Sequence, residues 1–174
     1  MNDHEEEDKE QSNYHPEVLM HPRNESHGSD TDKDKKFMRM IYEMITQDGV
    51  LNLQAKNIQQ GDPYDTSIIH LNRIFSSKAS NRFDSIVRLN LSSNNIVIID
   101  GEFCKNLPNV QQLDLRANRI GEVSHHIKAM LALRVLKLDK NDLVRLPDEV
   151  YEIKILQELT FQQNRIAYLS PKIG

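Results

Sequence analysis

Few side chains in this chain of 174 residues stand at spacings that could do chemistry. Metal binding would draw on His4, His15, His21 and His27. These have no cysteine companions and no i, i+4 helical spacing, so no tetrahedral site is expected. Asp30-x-Asp32-x-Asp34 opens like a calcium loop. Its sixth position is Lys35 where the tight turn needs glycine, and its twelfth is Ile41 where a bidentate glutamate is needed, so the loop is rejected. Ser29 and Thr31 each have an acid three residues on, Asp32 and Asp34, which suits acid-directed phosphorylation. The single cysteine, Cys104, permits no disulfide within the chain and reads as a small packed thiol. No G-x-x-x-x-G-K-S/T, no G-x-S-x-G and no Cys and His pair on neighbouring predicted strands is present, and His125 and His126 lie beside apolar Ile127 on a return segment. A general acid or base needs a water-shielded pocket to tune its pKa. The expectation is therefore a protein that is not an enzyme, with no cofactor and no metal.

The chemistry that does recur is that of the primary amide. Asn94, Asn118, Asn141 and Asn164 follow one another at intervals of 24, 23 and 23 residues, inside the phrases LNLSSNNI, LDLRANRI, LKLDKNDL and LTFQQNRI. Around each amide the apolar residues hold fixed offsets: 0, 3 and 5 before it, with the amide at 8, then 10, 13, 17 and 20. The third copy gives Leu133, Leu136, Leu138, Leu143, Leu146, Val150 and Ile153, and the second gives Val110, Leu113, Leu115, Ile120, Val123, Ile127 and Met130. The first runs Ile86, Leu89, Leu91, Ile96, Ile99 and Phe103, with one extra residue before Leu107. The fourth runs Leu156, Leu159, Phe161, Ile166, Leu169 and Ile173.

The elements that must position these residues follow from the spacing. Leu-x-Leu is alternation and predicts a short strand, while offsets 13, 17 and 20 share one helical face. Each copy is thus one strand, a turn and a return segment. Burying seven apolar side chains contributes about 10 to 20 kcal/mol, less than the chain entropy lost in ordering one copy. Copies must therefore stack and share a sheet and a core. Where the strand turns inward it leaves buried backbone groups unpaired, and one side-chain amide can both donate and accept. The four asparagines are expected to form a buried ladder.

The pattern L-x-x-L-x-L-x-x-N-x-L over residues 86 to 174 resembles the leucine-rich repeat family. The resemblance implies an α/β solenoid with a parallel sheet on its concave face and short helices or irregular return segments on its convex face. LVRLPDEVYEI in the third copy resembles the ras-suppressor type of intracellular repeat. IDGEF, VSHHI and LSPKI in the other copies depart from that type.

The remainder divides by charge. Residues 1–36 hold 11 acidic against 5 basic groups, a net −6, and too few apolar residues to offset ordering, so this segment reads as a disordered acidic tail. Its one apolar cluster is EVLM at 17–20. Residues 37–49 predict a capping helix with Phe37, Met40, Ile41, Met44 and Ile45 on its buried face and Gly49 as a stop. Residues 50–85 read as a degenerate first repeat, with Lys56 at the ladder position and an insertion over 59–85 in which IIHLNRIF predicts a helix. The N-terminus is acidic where a signal peptide would be basic, and no apolar run approaches 18 residues, so a cytoplasmic or nuclear protein without a membrane partner is expected. The fourth copy stops before its offset-20 residue. That leads us to expect an open edge, belonging to a longer repeat protein or covered by self-association.

Function is expected where the repeat leaves letters free. Offsets 2, 4 and 6 point away from the core onto the concave face: Arg88, Asn90 and Ser92; Gln112, Asp114 and Arg116; Val135, Lys137 and Asp139; Glu158, Thr160 and Gln162. Asp114 is expected beside Lys137, and Arg116 beside Asp139. This broad, mixed-charge surface suits a protein partner. It lacks the basic excess and the aromatic row that nucleic acid would need. The expected function is a protein-interaction adaptor or scaffold. The alternative is a regulatory or assembly module acting through the acidic tail or the 59–85 insertion, such as a phosphatase or small-GTPase regulator. The family's usual partners, namely small GTPases, phosphatase catalytic subunits and cytoskeletal or ciliary proteins, are what the resemblance implies.

Overall fold

The computed structural model describes residue 36 and residues 38–59, 69–75 and 83–172. The tail residues before 36, with EVLM, the four histidines, Ser29 and Thr31, lie outside the described residues, as do Phe37, the middle of the 59–85 insertion and Ile173.

The Leu-x-Leu phrases form the strands of one parallel sheet. β1 (Val50–Asn52), β4 (Arg88–Asn90), β6 (Gln112–Asp114), β8 (Val135–Lys137) and β9 (Glu158–Thr160) lie side by side in that order. The register puts like offsets together, with Leu51 on Leu89, Leu89 on Leu113, Leu113 on Leu136 and Leu136 on Leu159. Parallel neighbours require a return segment between them. In the first copy this is α3 (Gly101–Lys105), capped by the Asp100 carboxylate accepting from Phe103 N–H. In the second and third it tightens to 3₁₀ turns, His125–Ala129 and Asp148–Val150. A second short parallel pair, β5 (Ile98–Ile99) and β7 (Glu122–Val123), ties the first two return paths together.

Each strand leaves the sheet through the same bend. The residue before each ladder asparagine is left-handed although none is glycine: Ser93 (φ 57°), Ala117 (54°), Lys140 (58°) and Gln163 (55°), with Ala55 (53°) in the first repeat. That bend turns the backbone amides inward, and the asparagines meet them. Asn118 Oδ1 accepts from Ile96 N–H at 3.0 Å, and its Nδ2 donates to Leu91 O and Leu115 O, both at 3.0 Å. Asn141 repeats this with Ile120 N–H, Leu115 O and Leu138 O, and Asn164 with Leu143 N–H, Leu138 O and Phe161 O. Asn94 accepts from both Lys56 N–H and Ile58 N–H and donates to Leu53 O and Leu91 O. Each amide thus joins its own repeat to the one before it. Lys56 stands first in line and needs no amide.

The core is continuous from Ile41 to Val150. Phe75 packs edge-on against Phe103, with centroids 5.3 Å apart, and against Phe83 at 5.1 Å, which fills the wide N-terminal end. A short helix, α1 (residues 38–43), covers that end. Its buried face differs from the expected one. Met40 is 47% exposed, and Met38, Ile41, Tyr42 and Ile45, spaced i, i+3, i+4 and i+7, turn inward around Ile41 at 1% exposure, with Met44 half-buried beside them. Only the register of the helix separates the two faces, and the contact with Phe83 fixes it: the Tyr42 ring packs 5.4 Å from it.

The expected helix IIHLNRIF is also corrected. Its start is a strand, β3 (Ile69–His70), paired in parallel with β2 (Ile58–Gln59), and only α2 (Leu71–Ile74) is helical. Ile58 occupies the position of Ile96 in the next copy, so this segment continues a return path and forms a lateral ladder like that of β5 and β7.

Candidate functional site: the concave sheet

The faces of β1, β4, β6, β8 and β9 that point away from the core form two columns. One is Val50, Arg88, Gln112, Val135 and Glu158, and the other is Asn52, Asn90, Asp114, Lys137 and Thr160. A third row, at the bend, was expected to hold Ser92, Arg116, Asp139 and Gln162. Ser92 does not join it. It is 6% exposed, its carbonyl accepts from Ala55 N–H and from Asn94 Nδ2, and its short side chain stays inside the bend. Arg116 and Gln162 are exposed and Asp139 is half-buried.

Asp114 stands opposite Lys137 as expected, and Arg116 feels the charge of Asp139, but the direct bonds of these groups are made elsewhere. Asp114 is held within its own repeat by Arg116, two residues past the end of β6, whose Nε donates to Oδ1 at 2.9 Å and whose Nη2 donates to Oδ2 at 2.6 Å. Residues two apart on a strand share a face, and a planar guanidinium can grip both carboxylate oxygens there, which no single ammonium can do. Lys137 is left to Glu158, 3.1 Å away on the next strand. Asp139 turns from Arg116 to Thr160 Oγ1, which donates to it at 2.5 Å, and to Gln162 N–H at 2.8 Å. Asp114 and Lys137 are neighbours in register, but Asp114 is occupied.

The middle of the N-terminal half is hollow. A depression of about 240 Å³ lies over Val50, Arg88, Asn90, Gln112 and Val135. It is shallow and open, with aliphatic carbon on its floor and polar groups at its rim, so it offers contact area to another chain and little shelter from water.

The convex side carries the remaining candidates. Cys104 is buried within α3, and burial, with Asp100 nearby, pushes its thiol up to about 12, so it stays protonated and inert at neutral pH. His125 and His126 stack at 4.0 Å on the second return turn, and His126 Nδ1 faces Ser124 Oγ at 3.2 Å. Desolvation, then His125, Lys105 and Lys128, lower the basicity of His126. Among the described residues no three histidine, cysteine, aspartate or glutamate side chains gather as a metal site, and no helix is long and apolar enough to cross a membrane.

Comparison with known proteins agrees with this geometry. The family model described as Leucine rich repeat matches residues 84–143. No curated protein sequence matches the chain. A solved leucine-rich repeat protein of Leptospira interrogans is similar over 80% of this chain, with a TM-score of 0.52 and 20% identity, and the match spans 36% of that protein's own chain. With strands in register and asparagines bridging consecutive turns, the described residues have the leucine-rich repeat fold, and residues 84–143 match that family's model.

Proposed function

We propose that the chain is a non-catalytic adaptor of the cytoplasm or nucleus that binds a protein partner through the concave sheet. The observation that carries this reading is the division of labour along each strand. The inward leucines and the asparagine ladder fix the backbone, while the outward residues Arg88, Gln112, Asp114, Val135, Lys137 and Glu158 are held in a rigid array without serving the core. Proteins of this fold generally mediate protein–protein interaction. A preformed sheet loses little entropy on binding, so most of its contact energy survives as affinity. The internal ion pairs on this face are exposed and contribute at most about 1 kcal/mol each to the free protein. A partner can therefore exchange them for its own contacts at small cost.

The test is capture. The intact chain, crosslinked in extract, is expected to retain a discrete partner, and the double variant Arg116→Glu with Lys137→Glu is expected to lose it while keeping the circular dichroism spectrum of the wild type. Undiminished capture by the double variant would move the interaction away from this face, toward the tail or the 59–85 segment.

A further inference from the structure

We infer that the N-terminal half of the concave sheet is built for one carboxylate of an extended, aliphatic-flanked segment of the partner protein, with Arg88 as its anchor. This rests on the concave-face reading above and gives that reading a chemistry.

Six charged side chains stand on the concave face, and five are engaged. Asp114 is gripped by Arg116, Lys137 faces Glu158, and Asp139 accepts from Thr160 and Gln162. Arg88 is the exception: among the described residues it makes no ion pair and no hydrogen bond through its guanidinium. Its column neighbours are Val50 on one side and Gln112 on the other, so no anion flanks it along the row. The closest carboxylate in the depression, Asp114, already has both oxygens committed.

The neutral groups around Arg88 are biased the same way. Asn52 Oδ1 accepts from Gln54 N–H and Asn90 Oδ1 from Ser92 N–H, so two of the three amide oxygens around Arg88 already have a partner. Among the described residues the Asn52 and Gln112 side-chain N–H groups meet no acceptor, and Asn90 Nδ2 reaches Gln54 Oε1 only at 3.5 Å. What remains unspent at this end of the sheet is the Arg88 guanidinium and the amide N–H groups of Asn52 and Gln112, with the Gln112 oxygen the one unengaged amide acceptor, on strands about 4.8 Å apart. Such a set fits the two oxygens of a carboxylate.

The surroundings select the kind of anion. Val50 and Val135 are half-buried and face the same depression, so the residue beside the carboxylate must be aliphatic to cover them. Asp114, Asp139 and Glu158 share the face, so a polyanion such as a nucleic acid would meet repulsion a few strands on, whereas a single acid within a mixed peptide would not.

The probe is a displayed library of random octapeptides selected on the intact chain. Selected peptides are expected to carry Asp or Glu with an aliphatic residue next to it or two places away. Their affinity should fall about tenfold or more on Arg88→Gln, fall equally when the peptide acid becomes its amide, fall less on Arg88→Lys, and weaken with added salt. Because Arg88 is exposed and unpaired, the variants should melt with the wild type. A library that yields no acidic consensus, or no binders at all, overturns the inference, and so do peptides that ignore Arg88→Gln. If those peptides still lose binding to the Arg116→Glu, Lys137→Glu protein, the concave-face reading stands and only the Arg88 assignment fails. If they ignore all of these variants, both fall together.

Discussion

Asn141 accepts from Ile120 N–H and donates to Leu115 O, which it shares with Asn118, and to Leu138 O, which it shares with Asn164, all of them groups inside the core. Asn95, one residue past a ladder position, was expected to face solvent. It is half-buried and donates to Asn57 Oδ1 at 2.9 Å, a bond at the surface that water can replace. Asn141→Ala is therefore expected to destabilise the protein by about 2 to 3 kcal/mol and Asn95→Ala by less than about 1 kcal/mol. Urea denaturation of the two variants checks this, and equal midpoints would refute the role given to the ladder. The ladder was legible in the sequence because a fixed interval of an unusual residue has few causes. The partners of Asp114 and Arg116 were not, because which of two neighbouring charges a side chain chooses depends on rotamers and on the shape of the guanidinium, which spacing does not encode.

At the scale of elements, the hinge between α1 and the sheet is the most constrained point. Gly49 has φ +70°, its carbonyl accepts from Val87 N–H at 2.7 Å and Arg88 N–H at 3.0 Å, and an added Cβ would lie 2.3 Å from Ser85 O. Gly49→Ala adds both a left-handed strain and a backbone clash, so a loss of about 2 to 3 kcal/mol is expected. Gly121, on the path to β7, meets nothing within 4 Å of an added Cβ, so Gly121→Ala is expected to be neutral or to stabilise by up to about 1 kcal/mol. Thermal melts of the pair give the comparison, and a Gly49→Ala protein as stable as the wild type would mean the cap is not hinged there. A glycine turn before β1 could be read from the sequence, but the helix itself ends at Glu43, six residues before the expected stop at Gly49. The face of α1 and the strand at Ile69–His70 could not be read. A six-residue helix allows several faces, and a two-residue strand is created by its neighbour β2 rather than by its own letters.

Over the described residues, burial falls off toward β9. Leu136, Leu138 and Leu143 are buried, while their counterparts Leu159, Phe161 and Ile166 are only half-buried and Leu169 is 52% exposed. In the earlier repeats the second leucine's amide donates to the next strand: Leu91 to Asp114 O, Leu115 to Lys137 O and Leu138 to Thr160 O. Among the described residues no carbonyl accepts from Phe161. Stability in stacked repeats is a sum of local and nearest-neighbour terms, so hydrogen exchange at Phe161 and Gln163 is expected to run about a hundredfold faster than at Leu115 and Ala117. Equal protection would show that another element covers this edge. The stacking itself was legible, because no single copy could bury enough to stand alone.

The register without stagger also acts as a vernier. An extended chain laid across the strands presents same-face side chains about every 6.6 Å, against a strand spacing of about 4.8 Å. The two scales disagree most at the second interval and draw together at the third, about 14.4 Å against about 13.2 Å for four residues, and the fourth, about 19.2 Å against about 19.8 Å for six. Arg88 and Glu158 stand three intervals apart in one column. They are opposite in charge, so an extended segment that crosses the column would meet them with an acid and a base about four places apart.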